Sequence, residues 1–142
     1  MNPGIVETRL PAKRRGRGGK MTGTKKILIV DDEENIRSVL KGMLEKDYDI
    51  LEAGDGGEAV NIACSQKPDL IFMDILMPGT DGYTACNRIK EADATRRIPV
   101  VMLTAVGHQL NRELARKVGA DDYITKPFKK EWLLDAVKRF LK

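Results

Sequence analysis

Acidic residues bunch at one point of this sequence and recur singly at another. Asp31, Asp32, Glu33 and Glu34 follow directly on the apolar run Ile27-Leu28-Ile29-Val30, and Asp74 follows Leu70-Ile71-Phe72-Met73. Thr104 follows Val100-Val101-Met102-Leu103, and Thr125 and Lys126 follow Tyr123-Ile124. If Asp31, Asp32 and Asp74 meet in space, their repulsion must be relieved by a proton or by a cation. Donors that are all oxygen select a hard cation, and a partial shell completed by water suits Mg2+ better than a full Ca2+ cage. No EF-hand spacing is present, and the single His108 cannot build a zinc site. A hydroxyl (Thr104) and an ammonium (Lys126) beside those carboxylates would complete a receptacle for a phosphoryl group. Each would neutralise or hydrogen-bond a different equatorial oxygen during transfer. The acceptor would be a carboxylate nucleophile, a route to an acyl phosphate. Taken singly, each residue has a plainer role, since acids after a strand often cap the next helix and a lone Thr or Lys at a strand end is usually solvated.

What would bring these residues together is an alternation of strand and helix repeated five times from Lys25 onward. The four apolar runs just named read as strands, and a weaker, mixed strand spans 48–53, broken by Asp49 and Glu52. Ile36, Val39, Leu40, Met43 and Leu44 recur at the spacing of an amphipathic helix. Gly56-Gly57 interrupts as a turn, and a short helix follows through Ala59, Ile62 and Ala63, ended by Pro68. Met77-Pro78-Gly79 forces a loop, after which Asp81 or Thr80 caps a helix from about Gly82 to Glu91. Leu110, Leu114 and Val118 mark a fourth helix stopped by Gly119. Leu133, Val137, Phe140 and Leu141 mark the last. Five such repeats imply an α/β fold, a parallel sheet with helices on both faces. The three most apolar strands belong in the middle and the two mixed ones, at 48–53 and 122–124, at the edges. The doubly wound, flavodoxin-like (βα)5 sandwich, with strands ordered 2-1-3-4-5, satisfies both demands. In that order the first and third strands are neighbours, and sites form beyond the carboxyl ends of the strands at that switch point. Asp31, Asp32 and Asp74 then converge.

Composition narrows the remaining choices. The chain has 142 residues, 42% hydrophobic and 32% charged, which suits a single globular core. No apolar run approaches the ~18 residues of a membrane span, and the first thirty residues lack the apolar segment of a secretory signal. A cytoplasmic location is therefore expected. The two cysteines then read as reduced thiols, with Cys64 and Cys86 as small packing residues on helices. The net charge of +4 is an uneven average. Residues 1–24 carry Arg9, Lys13, Arg14, Arg15, Arg17 and Lys20 against Glu7 alone, so the remainder, with 19 bases and 20 acids of the 25 and 21 in the chain, is slightly acidic. This Gly-, Pro- and Arg-rich stretch reads as a disordered basic tail, a leader or a remnant of expression. It could bind nucleic acid through phosphate contacts, but no aromatic is interleaved for base stacking, and nucleic acid is not the expected partner.

From residue 25 to 142 the sequence resembles the receiver domain of two-component response regulators. The motifs that carry the resemblance are Ile27-Leu28-Ile29-Val30-Asp31-Asp32-Glu33, Ala53-Gly54-Asp55-Gly56-Gly57-Glu58-Ala59, the run from Asp69 through Asp74 to Gly82, Pro99–Ala105, and Gly119–Phe128. The resemblance implies that Asp74 is the phosphoacceptor, served by a sensor histidine kinase or a histidine phosphotransfer protein. It implies that Asp32, Asp74 and the backbone carbonyl of Leu76 ligate Mg2+, with Asp31 holding the metal mainly through water. Thr104 and Lys126 would contact the phosphoryl group, and Tyr123, three positions before Lys126, would be the switch aromatic. A downstream effector would read the surface of the fourth helix, fifth strand and fifth helix. The Lys126-Pro127 bond resembles the family's cis peptide, and X-Pro is the one bond type in which cis is cheap. The protein is then a phosphorylation-driven switch and not an enzyme beyond its own phosphorylation and dephosphorylation. It is expected to be single-domain, of the chemotaxis type or of a phosphorelay, and a monomer, with a dimer on phosphorylation by analogy. The alternative is a receiver piece of a larger hybrid kinase or output-domain regulator.

Other function classes fare worse on the same residues. An aspartyl-phosphate phosphatase of the haloacid dehalogenase type needs an acid two residues after its nucleophile, where this chain has Leu76. A flavin carrier needs a hydroxyl-rich first loop, and Asp31-Asp32-Glu33-Glu34 would repel a phosphate. Gly54 and Gly56-Gly57 are not followed by the Gly-Lys-Ser/Thr of a P-loop. Leu76 and Val106 flank the place of the family's hydrolytic water, and both are apolar, so slow self-dephosphorylation is expected. His108 is expected on the surface at the start of the fourth helix, and Trp132 is expected to pack at the start of the fifth.

Overall fold

A computed structural model describes residues 24–104 and 112–141. Ten elements follow one another: β1 (Lys26–Val30), α1 (Glu34–Leu44), β2 (Asp49–Ala53), α2 (Gly56–Gln66), β3 (Leu70–Asp74), α3 (Gly82–Glu91), β4 (Val100–Thr104), α4 (Arg112–Lys117), β5 (Asp122–Thr125) and α5 (Lys130–Phe140). The five strands pair in parallel in the order β2-β1-β3-β4-β5. The order follows from hydrophobicity. β3 and β4 are buried at every position, and β1 from its second residue onward. The mixed strands β2 and β5 are left at the edges.

Alternation within the strands divides the core in two. One layer joins Leu28, Val30, Ile71, Met73, Val100 and Met102 to apolar residues of α2 and α3. The other joins Ile27, Ile29, Phe72, Val101 and Leu103 to Leu40 and Leu44 of α1 and Leu133 and Val137 of α5. Full burial of an aliphatic or aromatic side chain contributes about 1.5–3 kcal/mol. The four apolar residues of β3, all fully buried, therefore more than offset the cost of burying the carboxylate that ends the strand.

Several local expectations need correction. Gly56 and Gly57 are the first turn of α2, not a turn before it, because the Asp55 side chain accepts from the Glu58 amide and caps the helix there. The Glu58 carboxylate accepts in return from the Gly54 amide. Gly56 also has no room for a side chain, since a Cβ would overlap the backbone and side chain of Thr80. Val39 is exposed, because it lies on the flank of the α1 stripe whose centre is Ile36, Leu40 and Met43. Trp132 is 40% exposed, and the Lys129 ammonium sits over its ring rather than a core contact. Cys64 is exposed on α2. Asp81 caps α3 as expected, accepting from the Thr84 amide. Leu110 and His108, and residues 1–23, lie outside the described residues.

The two thiols differ accordingly. Cys86 is fully buried with its Sγ directed at the Val118 carbonyl, and burial pushes its thiol up to about 11. A thiol reagent such as DTNB will modify one cysteine, Cys64, in the native protein at pH 8. Both will react in denaturant, with peptide mapping identifying the protected residue as Cys86.

Candidate functional site

Beyond the carboxyl ends of β1 and β3, the side chains of Asp31, Asp32 and Asp74 come together with one carboxylate oxygen each inside a 4.8 Å radius of one another. Parallel pairing does this directly: β1 and β3 are adjacent, with Val30 opposite Met73, so the residues that follow emerge side by side. Asp31 is fully buried, Asp74 nearly so, and Asp32 exposed. Asp74 and, on the neighbouring strand, Thr104 are the last residues of β3 and β4 rather than the first of the loops. The Lys126 ammonium reaches in from the end of β5, 2.9 Å from Asp31 Oδ2 and 3.3 Å from Asp74 Oδ1. Its backbone is tied to the same edge, the Lys126 amide donating to the Thr104 carbonyl at 2.6 Å. The Lys126-Pro127 bond is cis.

The electrostatics are unbalanced. Burial and the neighbouring Asp31 charge push the Asp74 carboxyl up to about 6, against a smaller opposing pull from Lys126. For Lys126, burial works against the charge, but the hydrogen bond to Asp31 and the charges of Asp74 and Asp31 outweigh it and hold the ammonium above its usual value. One ammonium is thus shared by two buried carboxylates, and a third stands nearby. Asp31 is the most constrained of the three. Its Oδ1 accepts from the Glu33 amide, its Oδ2 from Lys126, its own amide donates to the Ala53 carbonyl, and its carbonyl accepts from Arg37. Asp32 has no side-chain partner among the described residues. Neither acid caps α1 in the usual way: the N-cap is Glu33, whose side chain makes no capping bond.

The sequence model of the response regulator receiver domain matches residues 27–138. The chain belongs to that family. The receiver is a signalling module of two-component systems, one that works with histidine kinases and downstream effectors. Among curated relatives, it is 44% identical over 122 residues to the transcriptional regulatory protein ResD of Bacillus subtilis, spanning 85% of this chain and 50% of that protein. It is 44% identical over 118 residues to the chemotaxis protein CheY of Halobacterium salinarum, spanning 82% of this chain and 97% of that one. The chain spans about half the length of the transcriptional regulators it matches and nearly all of CheY. Among solved structures it superposes on the receiver domain of the sensor histidine kinase PA1611 of Pseudomonas aeruginosa, with a TM-score of 0.76 and 35% identity, covering 83% of this chain and 98% of that one. That structure has a magnesium ion coordinated in its active-site cleft. Chemotaxis CheY4 of Vibrio cholerae superposes with a TM-score of 0.77 at 30% identity, covering 84% of this chain and all of that one.

The remaining predicted residues of the receiver are distributed around the cluster. Leu76 lies in the loop after β3 and is 53% exposed; among the described backbone hydrogen bonds none engages its carbonyl. Tyr123 is on β5, half-buried against the α2–α3–α4 layer, with the Arg112 guanidinium over its ring at 5.3 Å. It is therefore apart from the carboxylates, on the face shared with α4. Val106 lies outside the described residues. Sequence reasoning passed over three residues that shape the site. Gly82, at the start of α3, lies so close to the Asp74 carbonyl that a Cβ would overlap it. The Gly82 amide also donates to the Ile75 carbonyl, so the loop after Asp74 is folded tightly against the helix. Arg37 and Glu52 form an ion pair beside the loop of Asp31 and Asp32. Glu52 was legible only as an interruption of a strand.

A raised carboxyl has a defined effect on stability. Between its ordinary 3.8 and about 6, Asp74 holds a proton in the folded chain that the unfolded chain lacks. Above that window both states are ionised and the folded one bears the strain. Asp74→Asn will therefore stabilise metal-free protein at pH 7.5 by on the order of 1–3 kcal/mol, read as a higher melting temperature. The advantage will shrink as pH falls through about 6 and vanish below about 4, as followed by thermal unfolding in EDTA.

Proposed function

We propose that residues 25–142 form a phosphorylation-activated receiver in which Asp74 accepts a phosphoryl group, with residues 1–24 a basic tail outside it. The observation that carries this reading is the Lys126 ammonium bridging two buried carboxylates, Asp31 and Asp74, at 2.9 and 3.3 Å. Burying two like charges against one cation is costly, and it is sustained where a site is meant to receive further charge.

The donors fit a hard divalent cation. They are all oxygen, they converge, and the pocket carries more negative charge than Lys126 balances. Asp32 and Asp74 would hold Mg2+ directly, with the Leu76 carbonyl, and Asp31 through water, since both Asp31 oxygens are already engaged. When bound, Mg2+ supplies charge neutralisation between the acceptor and the incoming phosphoryl oxygens. Asp74 is ionised at neutral pH and attacks phosphorus through a carboxylate oxygen. The oxygen–phosphorus bond forms as the bond from phosphorus to the donor's imidazole nitrogen breaks, and the departing imidazole takes up a proton. Lys126 moves from pairing two carboxylates to pairing one carboxylate and a phosphoryl oxygen. Thr104, at the end of the adjoining strand, offers its hydroxyl to another. The donor is a sensor histidine kinase or a histidine phosphotransfer protein.

The added phosphoryl brings roughly −1.5 to −2 charge at pH 7. Thr104 drawn toward it vacates space on the side where Tyr123 packs, and the α4–β5–α5 surface presented to a downstream effector changes its populations. A cytoplasmic setting agrees with the helices, none of which among the described residues is long and apolar enough to cross a membrane. The likeness to CheY over nearly its whole length favours a stand-alone switch. The likeness to half of ResD, and to a kinase's receiver domain, favours the second reading, a receiver within a longer regulator or hybrid kinase.

Incubation with a small-molecule phosphodonor will add a single phosphoryl mass, dependent on Mg2+, to wild type and none to Asp74→Asn. Lys126→Ala and Thr104→Ala will be phosphorylated more slowly. Absence of any gain in folded wild-type protein would overturn the proposal. Apolar Leu76 and Val106 cannot orient a hydrolytic water, so the acyl phosphate will be long-lived. Replacing both with polar residues will accelerate its decay severalfold, measured by loss of the phosphoryl mass with time.

A further inference from the structure

Arg37 occupies a place that local helix energetics disfavour. It lies in the first turns of α1, near the positive end of the helix, where acids and not bases are stabilised. Its side chain leans back toward the helix N-terminus, as side chains on helices do, and this carries the guanidinium to the β1–α1 loop. There one nitrogen donates to the Asp31 carbonyl at 2.7 Å, and Nε donates to Glu52 Oε1 at 3.1 Å. Glu52 stands on β2 opposite Ile29, one residue before the strand's end. Its other oxygen is 3.9 Å from the Lys41 ammonium. The Arg37 side chain is 19% exposed and that of Glu52 35%, so the pair is partly shielded from water.

The bond to Asp31 matters because a peptide group is planar. Fixing the Asp31 oxygen fixes the plane that also contains the Asp32 nitrogen and Cα, from which the Asp32 side chain departs. Among the described residues no other hydrogen bond holds that plane. The Asp32 carboxylate is exposed and unpartnered, so nothing at its far end orients it either. The plane on the other side of Asp32 is held by the Glu33 amide donating to Asp31 Oδ1, so the bond from Arg37 supplies the remaining restraint on its aim into the acidic cluster.

We propose that Arg37, braced by Glu52, is a positioning residue for divalent-cation binding, aiming Asp32 by locking the Asp31–Asp32 peptide. The inference rests on the metal reading given above and extends it to two residues that touch no metal. It also explains a cation set against the helix dipole, since local rules are broken where a site requires it.

The test is Mn2+ binding to the full chain, read from the electron paramagnetic resonance signal of free Mn2+, with thermal unfolding in EDTA alongside. Charge alone and positioning predict opposite signs. Removing a cation beside an acidic cluster should tighten Mn2+ binding, whereas losing the aim of Asp32 should weaken it. Arg37→Ala is expected to weaken binding about tenfold, the lower range for groups that orient metal ligands. Glu52→Ala is expected to weaken it similarly. Glu52→Gln, which keeps an oxygen to accept from Arg37 Nε but loses the charge, is expected to restore most of the affinity. Arg37→Lys offers a second variant should Arg37→Ala fail to fold, and it too will bind more weakly because an ammonium lacks the fork. Unchanged or tighter Mn2+ binding in folded Arg37→Ala or Arg37→Lys, with only the melting temperature lowered, would overturn the positioning role and leave the metal site standing. Failure of wild type to bind Mn2+, or an unchanged affinity in Asp32→Asn, would overturn the metal reading itself and this inference with it.

Discussion

The Lys126 ammonium between the carboxylates of Asp31 and Asp74 is the contact around which this molecule is arranged. One positive charge is shared by two buried negative ones, and Asp32 adds a third at the rim. The arrangement is electrostatically incomplete, which is visible in the Asp74 carboxyl standing at about 6 while Lys126 remains firmly charged. An incomplete cluster of this kind favours whatever supplies positive charge to the carboxylates or takes the ammonium away from them. On the proposed reading, a divalent cation does the first and a phosphoryl group the second.

Such a cluster would not persist on a soft scaffold. Breaking a buried ion pair costs about 3–5 kcal/mol when one partner is left behind, and the repulsion among the acids acts constantly to spread them. The sheet resists. Asp74 terminates a strand buried at every position, and Asp31 follows a strand paired on both sides. Close backbone approach does the rest: α3 abuts the Asp74 carbonyl through Gly82, and α2 abuts the loop before α3 through Gly56. Any side chain at those two positions would push the helices off the site. At the opposite end of the sheet a comparable lock joins α3, the start of β4 and the turn before β5, Lys90 of α3 bonding to the Ile98 carbonyl and to Asp121, which also accepts from the Val100 amide. The two ends differ in what they leave unsatisfied. The Lys90–Asp121 pair balances itself, whereas at the carboxyl end one ammonium faces two buried carboxylates.

Much of this was readable in one dimension because the strands state their own burial. Runs such as Leu70–Met73 have no polar face, so they must be central; Asp49 and Glu52 interrupt a run and place it at an edge. Once the order is known, neighbouring strand ends bring Asp31, Asp32 and Asp74 together, and Thr104 and Lys126 follow. The misreadings have a common cause. Gly56-Gly57 looked like a break, because a glycine pair carries no mark of the Asp55 cap and the Thr80 contact that make it a helix start. Val39 looked apolar and so buried, although the helix stripe is only wide enough for its neighbours. Trp132 looked like core, although its ring is covered by its own neighbour Lys129.

The fold class, the strand order and the identity of the carboxylates that meet are all written along the chain, because each follows from hydrophobic period and from which residue comes next after a strand. Which of those carboxylates share the lysine, which is pinned at four points and which stands free emerges in three dimensions. Folding alone brings Arg37 and Glu52, fifteen residues apart on different elements, into an ion pair beside the β1–α1 loop. Those outcomes depend on how closely side chains from separate strands and helices approach one another, and no periodicity along the chain encodes them.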